Sequence, residues 1–277
     1  MDLGLSGKVA IVGGGSDGLG FAIADRLLAE GAHVAFFARR AEKVAAAERQ
    51  LAERYGAERV LGLAGDCSSA ADLEGVTAST VERFGDAVHV LVTNDGGPPI
   101  RRISELTDEV WLQAFERHFF YVVRSVRATL PYMTAEGGSI LNVVSAVAQR
   151  PAVGMAAPTT VWSAVIGYAQ TLALEIAAQN ISVNTLMAGY FDTSLLAKTI
   201  ERQPELSKER LGRTAPLGRI GAPQELADLV AALVSPGARY VTGTVTAVDG
   251  GASVGLGASF DSAAPASNAT VSKAPGT

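Results

Sequence analysis

The chain has 277 residues, of which 48% are hydrophobic and 30 are glycine, with a formal net charge of -5. That length can bury one large core and suits a single α/β domain. The acidic balance provides no basic stripe for nucleic acid, and no run approaches the roughly 18 consecutive apolar residues of a membrane span, so the expected partner is a small soluble molecule.

The first residues, MDLGLSGK, lack a charged leader followed by an apolar run and a cleavage site, which predicts a cytoplasmic protein. The single cysteine, Cys67, has no Cys or His neighbours at ligand spacing. Neither a disulfide nor a metal site is therefore expected.

Short apolar runs rich in β-branched residues recur along the chain as KVAIVG (8–13), HVAFFA (33–38), RVLGLAG (59–65), VHVLVT (88–93), GSILNVVS (138–145), ISVNTLM (181–187) and TVTAVDG (244–250). Each has strand length and turn residues at its ends. Segments of helical spacing separate most of them, at residues 19–30, 41–55, 70–84, 108–133, 161–179 and 223–234. The stretch 156–175 also reads as helix, so Pro158 falls in a first turn, where a missing N–H costs nothing. This alternation predicts βαβ units and a doubly wound, Rossmann-like parallel sheet with helices on both faces. One domain is expected over residues 1–251. Residues 252–277, rich in Ser, Ala, Gly and Pro, read as an unpacked tail.

The first strand runs into VGGGSDGLG, which satisfies both Gly13-x-Gly15-x-x-Gly18 and Gly14-x-x-x-Gly18-x-Gly20. Glycine lets backbone N–H groups and a helix N-terminus approach a pyrophosphate, and Gly20 allows the helix to pack closely on the sheet. Ser16, Asp17 and Leu19 complete this loop. The second strand ends in Ala38-Arg39-Arg40, where an NAD site would carry a carboxylate for the ribose 2'-hydroxyl. Guanidinium groups suit a 2'-phosphate and point to NADP(H). The alternative is a solvated arginine pair neutralised by Glu42.

The glycine loop, GDCSS at Asp66, NDGG at Asn94–Gly97, SILNVVS ending at Ser145, LALEIAAQNISVNTLMAGYFDT and TGTVTAVDGG occur in this order. With them the chain resembles the short-chain dehydrogenases/reductases over about residues 6–251. NDGGPP and PLGRIGAPQELA are most similar to the 3-oxoacyl-(acyl carrier protein) reductase-like branch. The resemblance implies that Gly14, Gly18 and Gly20 serve the phosphates and that Asp66, with Cys67 beside it, serves the adenine. It also implies that Asn94 and Gly96 form the wall below the cofactor, that Thr193 meets the nicotinamide amide and that Ser145 sits beside the substrate carbonyl. A homotetramer, or a hetero-oligomer with a related reductase, is implied as well, built on helices 108–133 and 161–179.

The family's reaction is hydride transfer with a Tyr-x-x-x-Lys pair, whose phenol protonates the forming alkoxide. Counting from Ser145, or back from LALE, puts Pro158 at the tyrosine position and Trp162 at the lysine position. The family's helix-borne asparagine falls on His118. Trp162 favours either a hydrophobic substrate pocket or a plugged site. Pro158, Trp162 and Tyr190 are expected to line that pocket.

A proton could come instead from His118 or from Tyr121, three residues further along the same helical face. Thr159 and Thr160 are further hydroxyls near the predicted mouth. Residues 201–210 fall where this fold places a mobile lid, or form a plain solvated helix. Three histidines and no paired-carboxylate motif argue against hydrolysis. Three functions stay open: an NADPH-dependent ketoreductase acting on an apolar or activated carbonyl, a catalytically silent subunit supporting an active partner, and a redox-neutral isomerase, dehydratase or cyclase.

Overall fold

The computed structural model describes residues 2–133, 137–203 and 205–254. Most of the tail expected over 252–277 lies outside the described residues. Within them the strands are β1 (Val9–Gly13), β2 (His33–Ala38), β3 (Val60–Ala64), β4 (Val90–Thr93), β5 (Gly138–Ser145), β6 (Ile181–Ala188) and β7 (Val245–Val248). They form one parallel sheet in the order β3-β2-β1-β4-β5-β6-β7. The order reverses between β1 and β4, and the crevice at their carboxyl ends is where such sheets take ligands. β5 and β6 pair over their full eight residues, from Gly138 opposite Ile181 to Ser145 opposite Ala188. That register fixes where Ser145 leaves the sheet.

The connecting helices are α1 (Gly18–Ala29), α2 (Ala41–Tyr55), α3 (Ala70–Phe84), α4 (Asp108–Ala114), α5 (Phe120–Thr129), α6 (Ala156–Ile176), α7 (Ser194–Arg202), α8 (Lys208–Gly212) and α9 (Pro223–Val234). Strand periodicity divides the core into two layers. Ala10 and Val12 of β1 join Ile23 and Leu27 of α1 and Leu226 and Val230 of α9. Ile11, between them, points to the opposite face and joins Val76, Val122, Val161 and Val165 from α3, α5 and α6. Burying each such side chain contributes about 1.5–3 kcal/mol, so Val165→Asp, which sets an unpaired carboxylate in the second layer, would undo that face.

Helix ends follow their side chains. Ser69 caps α3 by accepting from the Asp72 N–H at 3.2 Å, and Thr193 caps α7 by accepting from the Leu196 N–H at 3.3 Å. Pro223 opens α9, where it forfeits no hydrogen bond. Pro158 likewise sits in the first turn of α6. Together with the 3₁₀ turn Ala177–Gln179, α6 is long and apolar enough by length and composition to cross a membrane. Here its inner stripe of Ala157, Val161, Val165, Ala169 and Ile176 packs in the second core layer, while Leu174 is exposed.

The predicted helices 41–55, 70–84 and 223–234 coincide with α2, α3 and α9. The helix predicted over 108–133 differs. It breaks into α4, a π turn over Phe115–Phe119, α5 and the 3₁₀ turn Leu130–Tyr132. Packing overrides the regular ladder at this point: Phe119 sets its ring edge-on to Phe115 at 5.9 Å and to Tyr168 of α6 at 6.0 Å. The wide turn accommodates both contacts.

Candidate active site

One open cleft runs along the carboxyl edge of the sheet. Its floor at the switch point is the glycine loop. Gly14 has φ +64°, and a Cβ there would lie 2.7 Å from Asn94 Nδ2. A Cβ on Gly20 would meet the Gly14 carbonyl oxygen at 2.3 Å. These are cradle positions that only glycine fills, with α1 presenting its N-terminus to the cleft. A phosphate-bearing cofactor fits them. Gly14, Ser16, Asp17, Gly18 and Leu19 all line the cleft, whereas Gly20 lies beneath, in the packing of α1.

Asp17 caps α1 by accepting from the Gly18 N–H at 2.8 Å. It also receives Lys43 Nζ of α2 and Ser194 Oγ of α7, each at 2.7 Å. Burial works to raise this carboxyl, but the bonds from Lys43 and Ser194, the lysine charge and the Gly18 N–H together hold it below the usual range. Neither Lys43 nor Ser194 is marked by any local sequence pattern, since they come from elements far apart in the chain.

At the end of β2, Arg39 and Arg40 are exposed and line the cleft. Among the described residues neither is in an ion pair with Glu42. Beyond β3, Gly65 and Cys67 line the cleft but Asp66 does not. The Asp66 carboxylate turns into its own loop, accepting from the Ser68 N–H at 2.9 Å and Ser68 Oγ at 2.8 Å. Burial raises it, and those bonds with the charges of Arg117 and Arg39 outweigh burial and leave it lowered. Burial, with Asp95 and Asp66 nearby, pushes the Cys67 thiol up to about 11, so it is neutral at ordinary pH.

Asn94 closes the loop from β4. Its side-chain amide donates to the Gly13 carbonyl at 3.2 Å, and its backbone N–H donates to Tyr121 Oη at 3.3 Å. Tyr121 is buried, and burial raises its phenol well above the usual range. Of the two proton sources considered, Tyr121 is thus committed to holding the Asn94 backbone. Gly96, Thr193 and Tyr190 line the cleft.

Ser145 ends β5 in the same cleft, its Oγ accepting weakly from the Val147 N–H at 3.4 Å. Thr159 and Ser163 of α6 donate to the carbonyls of Val147 and Ala148, each at 3.0 Å, which ties the start of α6 to the serine loop. Thr159 is therefore a fastener, and Thr160 is not part of the lining. Pro158 and Trp162 are both buried and both line the cleft. The Trp162 ring lies near Gly97 and stands edge-on to His118 with centroids 5.7 Å apart. The His118 Nδ1 is hydrogen-bonded to Asp95 Oδ2. Asp95 lies within the NDGG motif, yet its partnership with a residue 23 positions later leaves no local signal.

The mouth is formed by Pro98, Ile100, Pro151, Met155 and Leu195, with Arg101, Arg150 and Arg213 among them. Among the described residues no three His, Cys, Asp or Glu side chains converge as a metal would need.

The sequence model of the family described as Enoyl-(Acyl carrier protein) reductase matches residues 14–253. A putative ketoacyl reductase from Streptomyces coelicolor is 34% identical over 254 residues, spanning 88% of this chain and 96% of the relative. The crystal structure of L-sorbose reductase from Gluconobacter frateurii, complexed with NADPH and L-sorbose, superposes with a TM-score of 0.87 at 33% identity, over 92% of this chain and all of that one. An NADPH-bound short chain oxidoreductase from Pseudomonas aeruginosa, described as containing an atypical catalytic center, gives a TM-score of 0.82 at 32% identity, over 88% of this chain and 96% of that one.

Proposed function

The chain belongs to the short-chain dehydrogenase/reductase family, and on that footing we propose that it is an NADPH-dependent ketoreductase acting on an apolar or activated carbonyl compound. The observation that carries this reading is that the glycine cradle, the exposed Arg39 and Arg40, and Ser145 line one continuous cleft. The cofactor is NADP(H), as in the related structures. When bound, it supplies the hydride that adds to the substrate carbonyl carbon.

The protein's own residues do the rest. Gly14 and Gly18 hold the pyrophosphate at the N-terminus of α1, and Arg39 and Arg40 hold the 2'-phosphate. Asn94 and Gly96 support the cofactor from below. Ser145 Oγ, released from its long bond to Val147, donates to the carbonyl oxygen and orients it. Pro158, Trp162 and Tyr190 provide an apolar seat that excludes water from the reacting face. Exposed Leu112, Phe120 and Leu174, on the 108–133 segment and α6, support assembly with further copies through these helices.

A catalytically silent subunit is the second reading, favoured by Pro158, which cannot move a proton. Titration with NADPH and NADH, followed by a screen of activated ketones for loss of NADPH absorbance, separates the two. Tight NADPH binding with carbonyl-dependent turnover supports the reductase. Binding without turnover, or turnover only with a co-purified partner, supports the silent subunit.

A further inference from the structure

Where a proton donor is needed, the cleft offers a pair of side chains. His118 and Asp95 are joined through Nδ1 and Oδ2, and both side chains are about nine-tenths buried, at 9% and 8% exposure. They come from different elements, Asp95 from the loop after β4 and His118 from the π turn between α4 and α5. Both line the cleft that holds Ser145. Among the described residues nothing bonds the second ring nitrogen, Nε2. Trp162 packs edge-on against the ring and holds its plane.

We propose that His118 delivers the proton in this reductase and that Asp95 is the positioning residue that keeps the proton-bearing nitrogen toward the substrate. The proposal rests on the ketoreductase reading. As hydride reaches the carbonyl carbon, the C=O π pair moves to oxygen, the Nε2–H bond breaks and an O–H bond forms. The alcohol is released, and His118 is left neutral with its proton on Nδ1, facing Asp95. Solvent entering the open cleft returns a proton to Nε2.

The chemistry favours this pair over its neighbours. A carboxylate on Nδ1 fixes which ring nitrogen faces the cleft. The other groups near it are poorer donors or are already engaged. From the β3 loop, Cys67 is neutral and lies 3.5 Å from the Arg117 carbonyl, while Asp66 is held by Ser68. On the segment of His118 itself, Arg117 faces Asp66, and Tyr121 is bound to Asn94. α6 contributes the Trp162 ring, without charge.

The test combines two measurements. Two-dimensional ¹⁵N spectra of histidine-labelled wild-type protein, without cofactor, should show the His118 fixed proton on Nδ1, with Asp95→Asn abolishing that preference. A bare Nδ1 and a fixed proton on Nε2 would overturn the proposal whether or not the enzyme turns over. With NADPH and an activated diketone, His118→Asn should lower kcat by about 100-fold or more while NADPH affinity stays near wild type. Asp95→Asn should lower kcat, alter its pH profile and leave KM little changed. A wild type that binds NADPH but reduces nothing removes the ketoreductase reading and the donor role together. An active wild type matched in kcat and pH profile by both variants removes only the pair.

Discussion

Asn94, at the end of β4, donates its side-chain amide to the carbonyl of Gly13, at the end of β1, at 3.2 Å, and so bridges the two strands where the sheet order reverses. The same side chain limits the space above Gly14 and Gly20, since a Cβ on Gly20 would lie 2.9 Å from Asn94 Nδ2. The phosphate loop therefore has a shape that depends on a residue some eighty positions away.

Gly20→Ala is expected to expose that dependence. The added methyl meets the Gly14 carbonyl at 2.3 Å, a rigid backbone atom, so the loop must shift. Overpacking of this kind costs about 1–3 kcal/mol. Urea denaturation should show the loss, and calorimetric titration should show NADPH affinity falling with it. Unchanged binding in the variant would show that the loop does not shape the cofactor site.

Ser145→Ala removes the hydroxyl that we assign to the carbonyl oxygen. By analogy with loss of one oxyanion donor, kcat should fall by about 10²- to 10³-fold, with the dissociation constant for NADPH unaffected. Stopped-flow single turnovers would locate the loss in the chemical step. A variant as fast as the parent would refute the assignment.

Trp162→Ala opens space beside Gly97 and His118. Because Trp162 is buried at 5% exposure, the truncation should cost about 3–5 kcal/mol, read by chemical denaturation. The ratio of kcat/KM values for a bulky and a small ketone should shift toward the bulky one. A ratio that stays fixed would mean that the ring plugs the site rather than shaping it.

Cys67 supplies a pH test. Its thiol is raised from 9.0 to about 11, by burial first and then by the charges of Asp95 and Asp66. The folded state thus holds this proton more tightly than the unfolded chain. Its contribution to stability is complete below pH 9.0 and is lost as pH climbs toward about 11. Iodoacetamide labelling of Cys67 should be slow at neutral pH, accelerate only in that alkaline window, and be faster in Asp95→Asn, which removes one raising charge. Rapid labelling at neutral pH in the folded protein would contradict this environment.

Much of the molecule was legible in the order of residues. Strand-length apolar runs and three helices were found at their observed places because burial imposes simple periods on them. The glycine loop, Arg39 and Arg40, and Ser145 were readable because each sits at a fixed offset from a strand end. Pro158 and Trp162 were found by counting, and both line the cleft. The misses share one cause. Asp95 with His118, Lys43 and Ser194 with Asp17, and Tyr121 with Asn94 are partnerships between distant segments, visible only once the sheet brings them together. The π turn was hidden for a related reason, because aromatic packing against α6 chose it over the regular helix that the local pattern favours.

That turn has a consequence for how the protein can be altered. A π turn is in effect one residue spliced into a helix, here closed by the bond from the Phe120 N–H to the Phe115 carbonyl. Excising one of its five residues would let α4 and α5 fuse into a regular helix with their buried faces still in phase. Because the turn seats Phe119 between Phe115 and Tyr168 and His118 against Trp162, the edit would displace both side chains while leaving the strands in place. The proposed proton donor is thus mounted on an insert in the helix, so an edit there reaches the cleft lining without touching the sheet.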